Sequence, residues 1–382
     1  MKKVIIVVFC FSFIQSAFAS IAKVKTARGK VTRISPGMKE AAVVQAGDQL
    51  QKDTSILTQE KSFAIIVYND GTQVTLGPNS KMIVDKIEKS EQQLVSLITG
   101  KIKAEVKKAG MESKTSKLIL KTRSAALGVR GTVFQTTYNP ESKITSLVTL
   151  EGKVAMAKVP EKQVAELKKM ESQIDEAKKI DQILNAKAVV VERGEYAGVS
   201  ENLARATEPV TIAPEQVAKL KLNQTLGAVE EKIEEKEIRN EIEKTVLELA
   251  EKAKTKEVKK EARYDPKTEK YTPRPGGFVD IDSGLYVPPA KNSEYDEKLK
   301  VFEATEKIGT LTDDGLYKAP VGLKLEAGKG FVIVESSKSE EVVKIAKELN
   351  QEIAGQIIKP SKSKLEDLGE DTYEKYFNAD EF

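Results

Sequence analysis

Between residues 21 and 158 the chain is a succession of short β-branched runs punctuated by Gly, Asp and Asn. Runs of that length bounded by turn-forming residues dictate strands. They are Val24 to Ile34, Phe63 to Tyr68, Gln73 to Leu76, Met82 to Val84, Leu94 to Ile98, Leu118 to Leu120, Val133 to Thr137 and Ile144 to Leu150. Gln73-Val74-Thr75-Leu76 alternates polar and apolar positions, so one face is buried and one is solvated. Asp70-Gly71 supplies the positive φ that a tight hairpin needs.

The period then changes. From Pro160 to about residue 185, Val164, Leu167, Met170, Ile174, Ala177 and Leu184 recur at helical steps, with Pro160 suited to a first turn. Strand-like sequence returns at 188–199, and we place the end of the β domain near 213. Residues 214–262 read as one long charged helix with the apolar stripe Leu220, Leu226, Val229, Ile233, Ile238, Ile242, Val246, Leu249 and Ala253. It is either a solvated helix packed on the β domain or a coiled-coil strand, and the slip in spacing between Ile233 and Ile238 favours the former. Residues 263–335 hold a repeat: Asp265 to Tyr271 and Pro273, Asp280 to Tyr286 and Pro288, then a looser Leu311 to Tyr317 and Pro320. Such units bury surface against one another. Residues 336–382 read as a terminal helix and an acidic tail that is expected to be flexible.

Lys2 and Lys3, the apolar run from Val4 to Ile14 and the small-residue pattern Ala17-Phe18-Ala19 make a three-part export signal, with cleavage expected after Ala19. The single Cys10 lies inside it, preceded by Phe9 rather than by a small residue, so neither lipidation nor disulfides are expected of the mature chain. No later apolar stretch is long enough for a transmembrane helix. The chain has 0 His and 0 Trp. That removes Ser-His-Asp and Cys-His catalysis and the usual zinc sites, leaving paired carboxylates or a Ser-Lys dyad such as Ser361 with Lys364. The charges nearly balance, 62 basic against 58 acidic, so global charge implies no polyanion partner.

One ordered series of motifs spans the β region. It runs through Gly47-Asp48-Gln49-Leu50, Phe63 to Thr72, Leu76-Gly77-Pro78-Asn79-Ser80, Leu97 to Ile102, Lys121 to Phe134 with its Gly128-Val129-Arg130-Gly131-Thr132-Val133-Phe134 core, and Leu150 to Val154. Taken together, this series resembles the FecR domain family over roughly residues 24 to 158. The resemblance implies a mainly β, solenoid- or sandwich-like periplasmic domain, here with helical extensions. FecR proteins relay a signal across the envelope to a cytoplasmic sigma factor from a membrane-anchored chain. This chain departs from that plan, because its domain follows an export signal directly, so only the domain and its compartment are carried over.

The candidate site residues are few. Arg130, beside the turn glycines Gly128 and Gly131, could assist an anion at exposed backbone N–H groups, although such glycines more often only turn the chain. Asp70 and Gly71 are read as structural turns. Lys101, Lys103, Lys107 and Lys108 open a basic stretch ending at Arg130; it reads as a solvated edge or as a surface for an anionic envelope polymer, with no aromatic to stack a nucleic-acid base. Tyr271, Tyr286 and Tyr317 are candidate partner contacts, or they pack against their own prolines. Asp280-x-Asp282-x-Gly284 faintly resembles a calcium loop, but turn chemistry explains it more simply. No metal or cofactor is assigned. The sequence therefore reads as an exported, non-catalytic binding or scaffold module with a protein partner in the envelope. The alternatives are a signalling accessory of a separate membrane protein and a carboxylate-dependent envelope hydrolase.

Overall fold

The computed structural model describes residues 20–86, 92–107, 116–160, 173–228 and 233–357. The expected export signal with Ala19, Lys108, the first part of the 160–185 excursion and the acidic tail lie outside the described residues. The structure is β-dominated, 39% strand and 21% helix, as the run pattern predicts.

The β domain contains β1 (Ala22–Arg28), β2 (Val31–Ile34), β3 (Ala42–Val43), β4 (Gln49–Leu50), β5 (Thr54–Thr58), β6 (Phe63–Tyr68), β7 (Gln73–Leu76), β8 (Lys81–Lys86) and β9 (Gln93–Glu105). It continues with β10 (Leu118–Lys121), β11 (Ala125–Val129), β12 (Val133–Asn139), β13 (Ile144–Glu151), β14 (Lys153–Lys158), β15 (Val189–Glu192), β16 (Glu195–Val199) and β17 (Val210–Thr211). These strands form two layers. Sheet A runs β4-β1-β6-β7-β9-β12-β13-β16-β17. Sheet B runs β3-β2-β5-β8-β9-β10-β11-β14-β15, and its β9–β10 pair is parallel.

β9 belongs to both layers. Its first half pairs with β8 and β10, and its second half with β7 and β12. It bends at Gly100, where φ is +89°. A Cβ there would fall 2.1 Å from Ser80 Oγ. On either side of the bend the inward positions, Val95 and Leu97 then Ile102 and Ala104, enter one shared core with Ile56, Ile66, Phe134, Leu147 and Met156. Burying a side chain of that size stabilises the fold by about 1.5–3 kcal/mol, so this two-layer core is the main stabilising element.

Extensions cover the outer faces. On sheet B, α1 (Gln173–Lys187) sets Ala177, Ile180, Ile183 and Leu184 against Leu94, Ile119, Ala126 and Ala157. On sheet A, α2 (Pro214–Leu222) sets Val217 and Leu220 against Val148, Leu150 and Tyr196. The single helix expected over 214–262 is in fact two, because α3 begins again at Glu235 (Glu235–Ala253). Asn223 ends α2: its Oδ1 accepts the N–H groups of Thr225 and Leu226, and Leu226 and Gly227 take positive φ. That local capping competes with helix continuation. The new start also accounts for the slip in apolar spacing before Ile238.

Among the described residues beyond 262, ten strands pair as five hairpins. They are β18 (Arg263–Asp265) with β19 (Lys270–Thr272), β20 (Phe278–Val279) with β21 (Tyr286–Val287), β22 (Tyr295–Asp296) with β23 (Val301–Phe302), β24 (Thr310–Leu311) with β25 (Tyr317–Lys318), and β26 (Leu323–Glu326) with β27 (Gly330–Ile333). Every second strand carries an aromatic: Tyr271, Tyr286, Phe302, Tyr317 or Phe331. The sequence repeat is thus the hairpin, with two further copies in which Phe replaces Tyr. The expected terminal helix is α4 (Glu340–Ile357), whose Ala346, Leu349 and Ile353 close the module core over Phe278, Leu285 and Phe331.

Gly100→Ala should destabilise the protein by about 2 kcal/mol or more, because it combines positive-φ strain with a clash at Ser80. Urea unfolding of the variant beside the parent chain checks this, and an unchanged midpoint would mean that the bend does not need glycine.

Candidate functional site

Lys101 and Lys103 sit two apart on β9, so both project from the outer face of sheet A while Ile102 and Ala104 point inward. Both lysines are buried. Lys103 Nζ donates to the carbonyls of Leu220, Lys221 and Asn223 at 3.3, 2.7 and 2.9 Å. These are the last carbonyls of α2, which have no partners within the helix and attract a cation. Burial pushes the Lys103 ammonium down to about 8, with Lys221 nearby adding to the effect and Glu105 and Glu151 opposing it. Lys101 Nζ donates to Asp282 Oδ1 at 2.6 Å. The reading of these two lysines as a solvated basic edge is therefore corrected: they hold the chain's own C-terminal half. Lys107 is exposed, its stem lying over Gly71, and Lys121 pairs with Glu176 at 2.5 Å.

The tyrosines also face inward. Tyr286 is fully buried and stacks on Tyr196 with centroids 5.0 Å apart. Its hydroxyl donates to the Arg274 carbonyl at 2.6 Å and accepts the Gly277 N–H at 2.8 Å. Tyr271 is buried against Gly355, and its hydroxyl donates to the Glu352 carbonyl at 3.3 Å. Tyr317, half-buried, packs between Phe278 and Phe331 and donates to the Ile308 carbonyl. As partner contacts all three are corrected to struts within the chain, Tyr286 joining the module to the β domain through Tyr196, since a buried phenol must find its partner inside.

Asp280 accepts the Ser283 N–H at 2.8 Å, and its backbone carbonyl accepts the Gly284 N–H at 2.8 Å, so the calcium-like stretch is a turn. Asp282 already faces an ammonium, and among the described residues no group of three or more Asp or Glu is arranged for a metal. Burial pushes the Asp280 carboxyl up to about 6. Glu141 and Asp282 share a cleft of about 340 Å³ with Asn79, Thr99 and Asn139. Lys101, also in that lining, pairs with Asp282.

Arg130 is exposed at a second cleft, of about 500 Å³, between α1 and the edge strand β15. Asp181 and Lys153 share that lining, and Lys153 pairs with Glu192 at 2.6 Å. Burial raises the Asp181 carboxyl, while a hydrogen bond from Gln92 and the charge of Arg130 pull it back. Arg130 thus faces a carboxylate, which weakens the anion-site reading. Gly131 has φ +64° and turns the chain. Gly128 does not: it lies inside β11, where a Cβ would meet Leu184 Cδ1 at 2.9 Å, so it is needed for the approach of α1. Asp70 and Gly71 do form the β6–β7 turn, with Thr72 N–H donating to Asp70 at 2.8 Å.

One surface was missed by sequence reasoning. On sheet B, β3 is an edge strand, and Val43, Thr32 and Leu57 form one cross-strand row. Val43 is 71% exposed, with Ile34, Leu57 and Ile98 each 40–42% exposed on the same sheet. α1 covers only the other half of this face. A two-residue strand carries too short an alternation to be read from sequence.

Residues 54–155, β5 through the first half of β14, match the model of the family described as FecR protein, the family that the motif series resembles. Two crystal structures of a candidate anti-sigma factor from Parabacteroides distasonis ATCC 8503 align with 38% of this chain and 54% of theirs, at 19% identity and a TM-score of 0.28. The chain therefore spans about half the length of those structures. A cell surface anchoring domain aligns with 16% of this chain and 82% of its own, at 27% identity and a TM-score of 0.16. No curated protein matches.

Because the Asp280 carboxyl is raised from 3.8 to about 6, its contribution to stability is fully present below 3.8 and is lost as pH rises through 6. Asp280→Asn keeps an acceptor for Ser283 without that loss. The variant should match the parent near pH 4 and exceed it by about 1–3 kcal/mol near pH 7.5; a gap that is flat with pH would refute the assignment. Lys103→Met should cost about 1–3 kcal/mol by leaving helix-end carbonyls without a donor, with hydrogen exchange accelerated over α2.

Proposed function

We propose that this protein is an exported, non-catalytic protein-binding module of the bacterial envelope that acts in signalling through its FecR domain. The observation that carries this reading is the uncovered part of sheet B, where Val43 is exposed on an edge strand and Ile34 and Leu57 are exposed on the next two strands. Exposed apolar surface beside an unpaired edge is where a β protein meets another chain. The outer face of sheet A from β9 to β16 is already occupied by the chain's own extensions. The match of residues 54–155 to FecR, a family that relays envelope signals, supports the signalling role.

The sequence layout from Lys2 to Ala19 supports an export signal and a periplasmic or secreted mature chain. No helix among the described residues is long and apolar enough to cross a membrane. An accessory working with a separate membrane protein fits that layout. An anionic polymer is the poorer partner, because Lys101 and Lys103, two of the lysines that suggested it, are buried beneath the C-terminal half.

The test is affinity capture from an envelope extract, comparing the parent chain with Val43→Asp/Leu57→Asp. Retention of the captured protein should fall about tenfold or more in the double variant, with the thermal midpoint held. Equal retention would move the interface elsewhere. Binding to cell-wall sacculi alone, lost at high salt, would replace the protein partner with a polyanion.

A further inference from the structure

The outer face of sheet B has a second opening, at the edge opposite β3. Gly128, Ala155 and Val190 form one cross-strand row through β11, β14 and the edge strand β15. Gly128 and Ala155 leave a trough in that row. α1 borders it with Asp181, Leu184 and Asn185, which stand at i, i+3 and i+4 and share one helix face. The cleft so formed holds about 500 Å³, within the range of small-ligand sites, roughly 300–1,000 Å³. Its apolar walls are Leu184, which is buried, and Val190, which is 52% exposed.

Opposite charges face each other across this cleft without meeting. Arg130 is exposed and makes no ion pair or side-chain hydrogen bond among the described residues. Its charge nevertheless reaches Asp181 on α1. Two neighbouring cations are closed onto carboxylates, Lys121 on Glu176 at 2.5 Å and Lys153 on Glu192 at 2.6 Å. Asp181 is held in place by Gln92, whose side chain donates to its carboxylate and, through Nε2, to the Ser116 carbonyl at 2.9 Å. The Ser116 hydroxyl stands over Gly128, and Asn185 adds an exposed amide one turn from Asp181. A simple anion in this cleft meets Asp181, and a simple cation meets Arg130. A molecule that carries both charges answers the two at once. We propose that the cleft binds a free apolar α-amino acid, its carboxylate on Arg130, its ammonium on Asp181 and its side chain against Leu184, Ala155 and Val190. The guanidinium suits a carboxylate because it donates two parallel hydrogen bonds, and Ser116 and Asn185 supply further polar contacts. Exposed ion pairs are individually weak, so binding is readily reversible and follows the ligand's concentration. The site gives the domain a small-molecule input at the sheet edge opposite the uncovered part of sheet B.

The test is a ligand-observed NMR titration of the whole chain with leucine, with leucinamide, which lacks the carboxylate, and with N-acetyl-leucine, which lacks the ammonium. Leucine should bind with a Kd on the order of 1 mM, and each modified probe about tenfold or more weakly. In Arg130→Gln, leucine should fall to the level of leucinamide while leucinamide keeps its parent affinity. In Asp181→Asn, leucine should fall to the level of N-acetyl-leucine, which keeps its own. A folding defect cannot produce that pattern, because it weakens every probe alike. Absence of saturable leucine binding to the parent chain, or any other pattern in the variants, would overturn the proposal. N-acetyl-leucine binding as tightly as leucine would also overturn it, by assigning the cleft to the end of a peptide.

Discussion

β9 cannot serve two layers without bending, and the bend fixes what each layer presents to the outside. Its first half lies in sheet B and its second in sheet A, with Gly100 at the corner. Strand alternation continues through both halves. Val95, Leu97, Ile102 and Ala104 enter the shared core, so Lys101 and Lys103 must leave on the outer face of sheet A. Everything that later packs on that face has to accommodate two ammonium groups.

The C-terminal half does so with a helix end and a carboxylate. A buried ammonium is tolerable only when its protons are satisfied, and Lys103 reaches three carbonyls that α2 could not satisfy itself. Asp282, at the turn of a repeat hairpin, meets Lys101. The hairpin aromatics then turn inward, away from solvent, and their hydroxyls anchor neighbouring backbone. The β9–β16 part of sheet A is covered by its own chain as a result. Part of sheet B is left uncovered by α1, with Val43 and Leu57 exposed on it.

Much of this was legible in local sequence. The short β-branched runs marked the strands, Asp70-Gly71 marked a hairpin, and the ordered glycine and Val-Arg-Gly motifs marked the FecR region. The Asp-to-Tyr repeat marked three hairpins of the module; the other two lie outside it because Phe302 and Phe331 stand where those three have Tyr. The break between α2 and α3 escaped for a different reason. A single Asn223 side chain caps the turn, and apolar spacing averaged over a long charged segment does not register one competing hydrogen bond.

Sequence by itself determined the periods of this protein: where the chain alternates, where it turns, and which residues of each strand share a face. Tertiary structure alone decided which faces meet. Lys103 finds its carbonyls more than a hundred residues later, and Lys101 finds Asp282 farther still. Local periodicity carries no information about pairing at that range, because it depends on which extension covers which layer. For the same reason, two lysines of a stretch that reads as a solvated basic edge, Lys101 and Lys103, became the fastening of the C-terminal half, and tyrosines that read as contacts for a partner became contacts within the fold.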